Sequence, residues 1–268
     1  MTKLLKFFRK LPESDGPEVH VVYTDGNIGA GKSLVQENVR RLAKEQKNVV
    51  VVELPECVDD WRSLPMPDGT KLDMLTAFTQ QAAHTMHENT YAAPFQVVTI
   101  ASLLKRHNEL LDVVTRTVRQ RANKAIDVIM ILVERSFVGN RVFADMHHAA
   151  GNISGVQATA YNYFWSQVVM TQQQTLKLLG QNLGVSVHTH HVLLQCDPDV
   201  CAERVARRPR SKDTGEGGLA IDYLRELALR HEAVYKDLAQ GPRTRVHHID
   251  SEVPPMDVAQ AVIMAVRQ

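Results

Sequence analysis

The chain is short of cysteine, of aromatic residues and of net charge. Its three cysteines, Cys57, Cys196 and Cys201, are too few and too scattered for a disulfide framework or a cysteine zinc site. A reducing compartment is therefore expected, in the first place the cytoplasm. Lys and Arg (31) balance Asp and Glu (30) to a formal net charge of +1, so no global field draws the chain to nucleic acid or to a membrane surface. No apolar run approaches the ~18 residues of a membrane span. The first ten residues are basic with an apolar side, but lack the apolar stretch of a secretory signal. Residues 1–17 read as a flexible tail, with mitochondrial targeting as the alternative. No internal repeat, low-complexity stretch or linker divides the chain. A hydrophobic content of 44% is that of a globular protein, so residues 1–268 read as a single domain.

Against these absences stands one octapeptide, Gly26-Asn27-Ile28-Gly29-Ala30-Gly31-Lys32-Ser33, a complete G-x-x-x-x-G-K-[ST] loop. It follows an apolar run over 19–24 and opens a helical pattern that starts at Ser33. A buried strand that ends in such a glycine-rich turn points backbone N–H groups inward around a phosphate. The positive end of the following helix faces the same anion. Lys32 is placed to reach the outer phosphates, and the Ser33 hydroxyl to ligand Mg²⁺. The expected ligand is a nucleoside triphosphate, ATP with Mg²⁺.

Five apolar runs, 19–24, 49–53, 125–133, 192–196 and 245–249, are rich in Val and Ile and do not alternate. Such runs are strands covered on both faces. Helical patterns fill the intervals at 33–46, 72–89, 94–120, 161–180, 199–207 and 219–238, and a last one follows Pro254-Pro255 over 256–266. Strand–helix alternation implies an α/β fold with a five-stranded parallel sheet flanked by helices. The turn-rich insert 64–69 and the segment 204–218 read as functional loops.

The carboxyl ends of strands in such a sheet line the ligand crevice. Glu56, just beyond the second strand and stiffened by Pro55, is a candidate for taking the proton from an attacking hydroxyl. The third strand closes on Glu134 and Arg135, an apolar strand ending in an acid that can hold Mg²⁺ or its water. Arg204, Arg207, Arg208 and Arg210, with Lys212, exceed what helix capping requires. They read as an Arg-rich lid over the phosphates. The histidine pairs at 147–148, 190–191 and 247–248 fit no metal-site spacing. The aromatic group Tyr161, Tyr163, Phe164 and Trp165 reads as a packed helix start or a subunit interface.

With these residues placed, the chain resembles the deoxynucleoside kinase family. Gly26–Ser33 is similar to its G-N-I-x-x-G-K-[ST] loop. Residues 55–61 resemble P-E-P-V-x-x-W, with Cys57 where proline is usual. Phe95-Gln96 matches F-Q, Glu134-Arg135-Ser136 matches E-R-S, and 140–144 is similar to [DA]-R-Y-x-F. Arg208-x-Arg210 resembles the R-x-R lid, and Tyr223-Leu224 the Y-L beyond it. The resemblance implies a P-loop kinase fold and ATP-dependent phosphorylation of the 5′-hydroxyl of deoxynucleosides for nucleotide salvage. It implies Glu56 as general base, with Arg135 near the hydroxyl and the phosphates. Gln96 would bond the base edge and Phe143 stack on the base, with Trp61, Phe95 and Ile28 as walls. Ser33 and Glu134 would organise Mg²⁺, while Arg208 and Arg210 close on the phosphates. It also implies a homodimer contact through the two long helices.

Departures from the family pattern bear on the substrate. The tyrosine for the sugar 3′-hydroxyl falls where Thr85 and Met86 stand, with Tyr91 a substitute. The lid carboxylate that meets the same hydroxyl is Asp213 or Glu216. Members that favour deoxycytidine and purines carry an Arg–Asp pair at the far end of the base pocket, where this chain has Leu103 and Asn140. Loss of that pair leaves room for the thymine methyl group, so thymidine is the expected substrate, alone or among several. A thymidylate-type kinase is the near alternative, but no cations beyond Arg135 and the lid are left for a second phosphate. A GTPase would need N-K-x-D after a strand, and none is present. An inactive nucleotide-binding subunit would not need a base, a P-loop lysine, a metal acid and lid arginines together.

Overall fold

The computed structural model describes residues 17–46, 48–84, 89–120, 126–208, 216–241 and 244–267. Five strands form a parallel sheet: β1 Glu18–Gly26, β2 Val49–Leu54, β5 Val128–Glu134, β6 Val187–Gln195 and β7 Arg245–Asp250, in the order β2-β5-β1-β6-β7. The expected fold class is the observed one. From β1 the chain crosses to β2 at one edge, returns to β5 between them, and then passes β1 to reach β6 and β7, so the crossovers change direction between β1 and β5. Ligands bind at this place in an open α/β sheet. The register sets Thr24 of β1 against Glu134 of β5, which brings that acid to the mouth of the loop after β1.

Alternate side chains of the strands feed two cores, as a pleated sheet buried on both faces requires. Val22, Met130, Leu132, Val192 and Leu194 pack with α1 (Lys32–Ala43), α8 (Ile221–Leu238) and α9 (Pro255–Val266). Val19, Val21, Tyr23, Ile129 and Ile131 face the other way, onto Leu110 and Val114 of α4 (Ala92–Gln120) and Leu176 of α6 (Gly155–Leu183). The remaining helices are α2 (Val58–Trp61), α3 (Met74–His84), α5 (Phe137–Ala149) and α7 (Pro198–Ala206), with a 3₁₀ turn at Glu216–Gly218.

Several boundaries differ from the sequence reading, each for a local reason. Helix α6 starts well before 161, because Ser154 and Gln157 form a capping box in which each side chain bonds the other's backbone N–H. It ends at Gly184, whose φ of 65° suits glycine as a left-handed cap. Strand β6 starts at Val187 rather than 192, so His188, His190 and His191 are strand residues. Helix α5 was read only as a motif segment; Ser136 caps it by accepting from Gly139 N. The insert over 64–69 contains one strand of a small antiparallel hairpin, β3 (Leu64–Pro65) with β4 (Lys71–Leu72). The N-terminal tail over 1–16 lies outside the described residues. No helix among the described residues is long and apolar enough to cross a membrane. Among them, too, no group of three or more His, Cys, Asp and Glu is arranged to hold a metal ion.

Candidate active site

The loop between β1 and α1 has the backbone that its glycines permit. Gly26, Gly29 and Gly31 have φ of 142°, 94° and 91°, values that side-chain-bearing residues rarely adopt. Gly29 also packs against the next layer, where a Cβ would lie 2.5 Å from the Cys201 carbonyl oxygen. Asn27 steadies the turn by donating to Leu224 O at 2.9 Å, while its Oδ1 accepts from Ile28 N. Lys32 is folded back into the loop, with Nζ donating to Asn27 O at 3.0 Å and Gly26 O at 3.3 Å. Burial lowers its pKa, and Arg135 lowers it further. An anion in the loop would relieve both effects.

Ser33 Oγ donates to Glu134 Oε1 at 3.1 Å, so the hydroxyl and the strand-end carboxylate meet at the loop mouth. Burial raises the Glu134 pKa, and the neighbouring Glu56 raises it again. An all-oxygen pair in which the carboxylate's charge is disfavoured suits a small hard cation, and Mg²⁺ fits it.

Next in the chain, Arg135 has φ of 70°, the one non-glycine with positive φ among the described residues. Backbone strain of this kind costs about 1–3 kcal/mol and is found where the surroundings impose it. Here the turn swings the guanidinium back over the site. Its Nε donates to Glu56 Oε1 at 2.6 Å, and its carbon lies 4.7 Å from the Phe143 ring centre. Burial alone would lower the Arg135 pKa; Glu56, Asp25 and Glu134 outweigh it and raise it. Nη1 is buried with no hydrogen-bond partner among the described residues.

Beyond this pair opens a pocket whose walls come from α2, α3, α4, α5 and α8. Trp61, Phe78 and Phe95 form an aromatic side in which Phe95 stands edge-on to Trp61 at 5.6 Å and tilted to Phe78 at 4.7 Å. Trp61 Nε1 donates to Ser102 Oγ at 2.9 Å, which fixes the indole. Ile28 and Phe143 close the other sides, and Gln96 and Asn140 bring neutral amides. Glu56, Lys32, Glu134 and Arg135 line the end nearest the loop. Arg208 lines both this pocket and a groove along Gly29, Ala30, Gly31 and Ser33, so it stands between them. An aromatic slot with an amide edge, opening on a carboxylate, a guanidinium and a phosphate loop, accepts a planar base with a sugar attached.

The family model for deoxynucleoside kinases matches residues 22–265. The chain belongs to the deoxynucleoside kinase family. It is thus a kinase that acts in nucleoside phosphorylation. The chain is 28% identical over 219 residues to the thymidine kinase of Ictalurid herpesvirus 1 (strain Auburn), covering 81% of this chain and 75% of that one. It is 23% identical over 223 residues to Homo sapiens deoxycytidine kinase, covering 82% and 76%. Structures of deoxyadenosine kinase from M. mycoides share the fold at 14–15% identity. The complex with bound dATP aligns with a TM-score of 0.56 over 92% of this chain and 99% of that one, and the complex with dCMP and dCDP with 0.52 over 92% and 98%.

Most residues singled out from sequence converge on this kinase's site. The exceptions are specific. Leu103 was expected in the base pocket but does not line it; it packs behind the wall in an apolar cluster with Ile100, Phe137 and Tyr161. Tyr91 packs beside the aromatic side without reaching the cavity. Of the other lid arginines, Arg204 lines the groove along the phosphate loop and donates to Ser251 O at 3.0 Å, while Arg207 pairs with Glu203 at 3.0 Å on the surface. Arg208 alone of the described cluster reaches the pocket, and Glu216, buried, lines it as well. Arg210, Lys212 and Asp213, together with Thr85 and Met86, lie outside the described residues. Sequence reading missed Leu75, Phe78 and Thr79 of α3, whose only signal was apolar helical spacing. It also missed Asp25, which is wholly buried and accepts from Ser136 N at 3.0 Å and from the Tyr235 hydroxyl.

Proposed function

We propose that the protein transfers the γ-phosphoryl group of ATP to the 5′-hydroxyl of deoxynucleosides, thymidine foremost, in the salvage of DNA precursors. The observation that carries this reading is the Glu56–Arg135 pair, 2.6 Å apart, set between an aromatic pocket and the phosphate loop. A 5′-hydroxyl presented there meets Glu56 Oε as proton acceptor. The developing charge on the transferred group meets Lys32, Arg135 and Arg208. Positioning and electrostatic stabilisation are what phosphoryl transfer asks of a protein. The unpartnered Nη1 of Arg135 is a donor waiting for an anionic oxygen.

Ser33 and Glu134 would hold Mg²⁺, which when bound neutralises phosphate charge. Gly26, Asn27, Ile28, Gly29, Ala30, Gly31 and Lys32 cradle the donor phosphates. Phe143 stacks on the base, Trp61 and Phe95 confine it, and Gln96 bonds its edge. Glu216 is the described candidate for the sugar 3′-hydroxyl. Arg210 and Asp213 belong to the same proposal as lid residues. A homodimer through α4 and α6 is part of it too, supported by exposed apolar Val97 on the first and Val156, Tyr163, Met170 and Leu178 along the second.

The test is ADP release by purified protein with ATP and Mg²⁺ against four deoxynucleosides and thymidine monophosphate. Release with nucleosides, thymidine leading, is expected. Release with the monophosphate alone would overturn the assignment of Glu56.

A further inference from the structure

The amide that meets the base is held in one orientation by a residue outside the pocket. Tyr161, on the first turns of α6, is buried behind the wall and does not line the cavity. Its hydroxyl donates to Asn140 Oδ1 at 2.5 Å, and Asn140 Nδ2 donates to Gln96 Oε1 at 3.0 Å. All three side chains are nine-tenths or more buried. Among the described residues the Tyr161 hydroxyl has no second acceptor, and burial raises its pKa, so it remains an O–H donor. If the Asn140 amide turned round, the phenol would have to accept from it and its own hydrogen would be buried without a partner. The asparagine therefore keeps its carbonyl toward Tyr161 and its NH₂ toward Gln96. A flipped Gln96 would set two NH₂ groups face to face.

The consequence falls on the pocket. Gln96 Nε2 has no protein partner among the described residues, and Asn140 Nδ2 retains a second hydrogen. One lone pair remains on Gln96 Oε1. At this end of the cavity N–H hydrogens outnumber open lone pairs. A base stacked on Phe143, with its sugar held at Glu56, has its C4 substituent in one place. A keto oxygen there accepts these hydrogens, and the neighbouring N3–H reaches the lone pair of Oε1. An exocyclic amino group there meets N–H with N–H, a mismatch between buried polar groups.

We propose that Tyr161, acting through Asn140, locks Gln96 so that the pocket selects a keto pyrimidine over an amino pyrimidine. The inference rests on the proposed role of Gln96 at the base edge. Tyr161 is a positioning residue that touches no substrate.

The experiment is kcat/KM for thymidine and for deoxycytidine in the wild type, Tyr161→Phe and Asn140→Asp, with thermal stability measured alongside. The wild type should favour thymidine by about tenfold or more. Tyr161→Phe frees the asparagine to turn, and the thymidine-to-deoxycytidine ratio should fall by about tenfold, mainly by improvement with deoxycytidine. Asn140→Asp offers only lone pairs to Gln96, turns its carbonyl toward the base, and should invert the preference. A merely structural role for Tyr161 would lower both substrates in parallel and leave the ratio alone. A ratio unchanged in both variants while activity persists would overturn the lock and spare the kinase reading. A wild type that prefers deoxycytidine overturns the lock as well. A wild type that phosphorylates neither nucleoside overturns the proposed function, and the lock with it.

Discussion

Asp25 occupies the space that a side chain on Gly139 would need: a Cβ at Gly139 would lie 1.9 Å from Asp25 Oδ1. The carboxylate closes β1 just before the phosphate loop, and it accepts from Ser136 N and the Tyr235 hydroxyl. One buried acid thus ties β1, the Glu134-Arg135-Ser136 turn and α8 together. A glycine in the first turn of α5 is what lets it do so.

Alanine at an internal helix position normally stabilises by up to about 1 kcal/mol relative to glycine. At Gly139 the opposite is expected. Gly139→Ala must displace a buried carboxylate, and overpacking of this kind costs about 1–3 kcal/mol. Urea denaturation would show the loss as a lower midpoint with an unchanged slope. Stability equal to or above the wild type would refute the tie.

Glu56→Gln keeps the shape and removes the proton acceptor. A drop in kcat of about 10²–10⁴-fold is expected, with nucleoside binding retained. Rapid-quench turnover together with equilibrium binding of thymidine checks both halves. Near-normal turnover would strip Glu56 of the role.

Gly29 and Gly31 both have positive φ, but only Gly29 is crowded: nothing lies within 4 Å of a Cβ at Gly31, while at Gly29 the Cys201 carbonyl oxygen does. Gly31→Ala should cost backbone strain of about 1 kcal/mol. Gly29→Ala should cost that and force α7 away from the loop. A larger loss of melting temperature and a larger rise in the KM for ATP are therefore expected at Gly29. Equal losses at the two positions would show that the contact with α7 is slack.

Burial holds several histidines neutral. His20, His107, His147 and His231 titrate at about 4, and His190 at about 2, lowered further by its neighbours His20 and His247. His20 Nδ1 and His190 Nε2 lie 3.1 Å apart, as do His190 Nδ1 and His247 Nε2, a ladder across β1, β6 and β7. These folded pKa values lie below the unfolded value near 6.5, so above pH 6.5 the group is neutral in both states and adds no pH dependence. As pH falls from 6.5 toward 4 the unfolded chain takes up protons that the folded one refuses. Each group then removes up to about 1.4 kcal/mol per pH unit. Urea midpoints should be flat from pH 8 to 7 and fall steeply below 6.5. A midpoint constant down to pH 4.5 would contradict this burial.

The parts of the site that sequence made legible are those built from neighbouring residues. The phosphate loop is eight consecutive residues whose shape depends on glycine φ values and on bonds within or beside the loop, such as Lys32 to Asn27 O. Glu134 was legible because it ends β5, and Glu56 because it lies two residues beyond the end of β2; strand ends of a parallel sheet share one edge. Leu103 was misplaced because its side chain lies on a face of α4 whose partner is Tyr161, 58 positions away in the chain. Strand β6 starts earlier than its sequence suggests because His188, His190 and His191 mask a strand pattern; in the fold His190 bonds His20 and His247 across the sheet, and His188 and His191 pack on the rings of His20 and Tyr23.

Sequence by itself determined the class of protein: an α/β fold, a glycine-rich phosphate loop between a strand and a helix, and carboxylates at or just beyond strand ends, hence a nucleotide-using kinase. Such features follow from local backbone preference and from the topology that alternating strands and helices impose. Tertiary structure decided what stands around the reacting group. It made Tyr161 a second layer behind Asn140, set Arg204 along the phosphate-loop groove and Arg207 on the surface, and let Asp25 replace the side chain that Gly139 lacks. Such pairings depend on the register in which distant helices pack, to within an ångström, and no local pattern in the chain encodes that register.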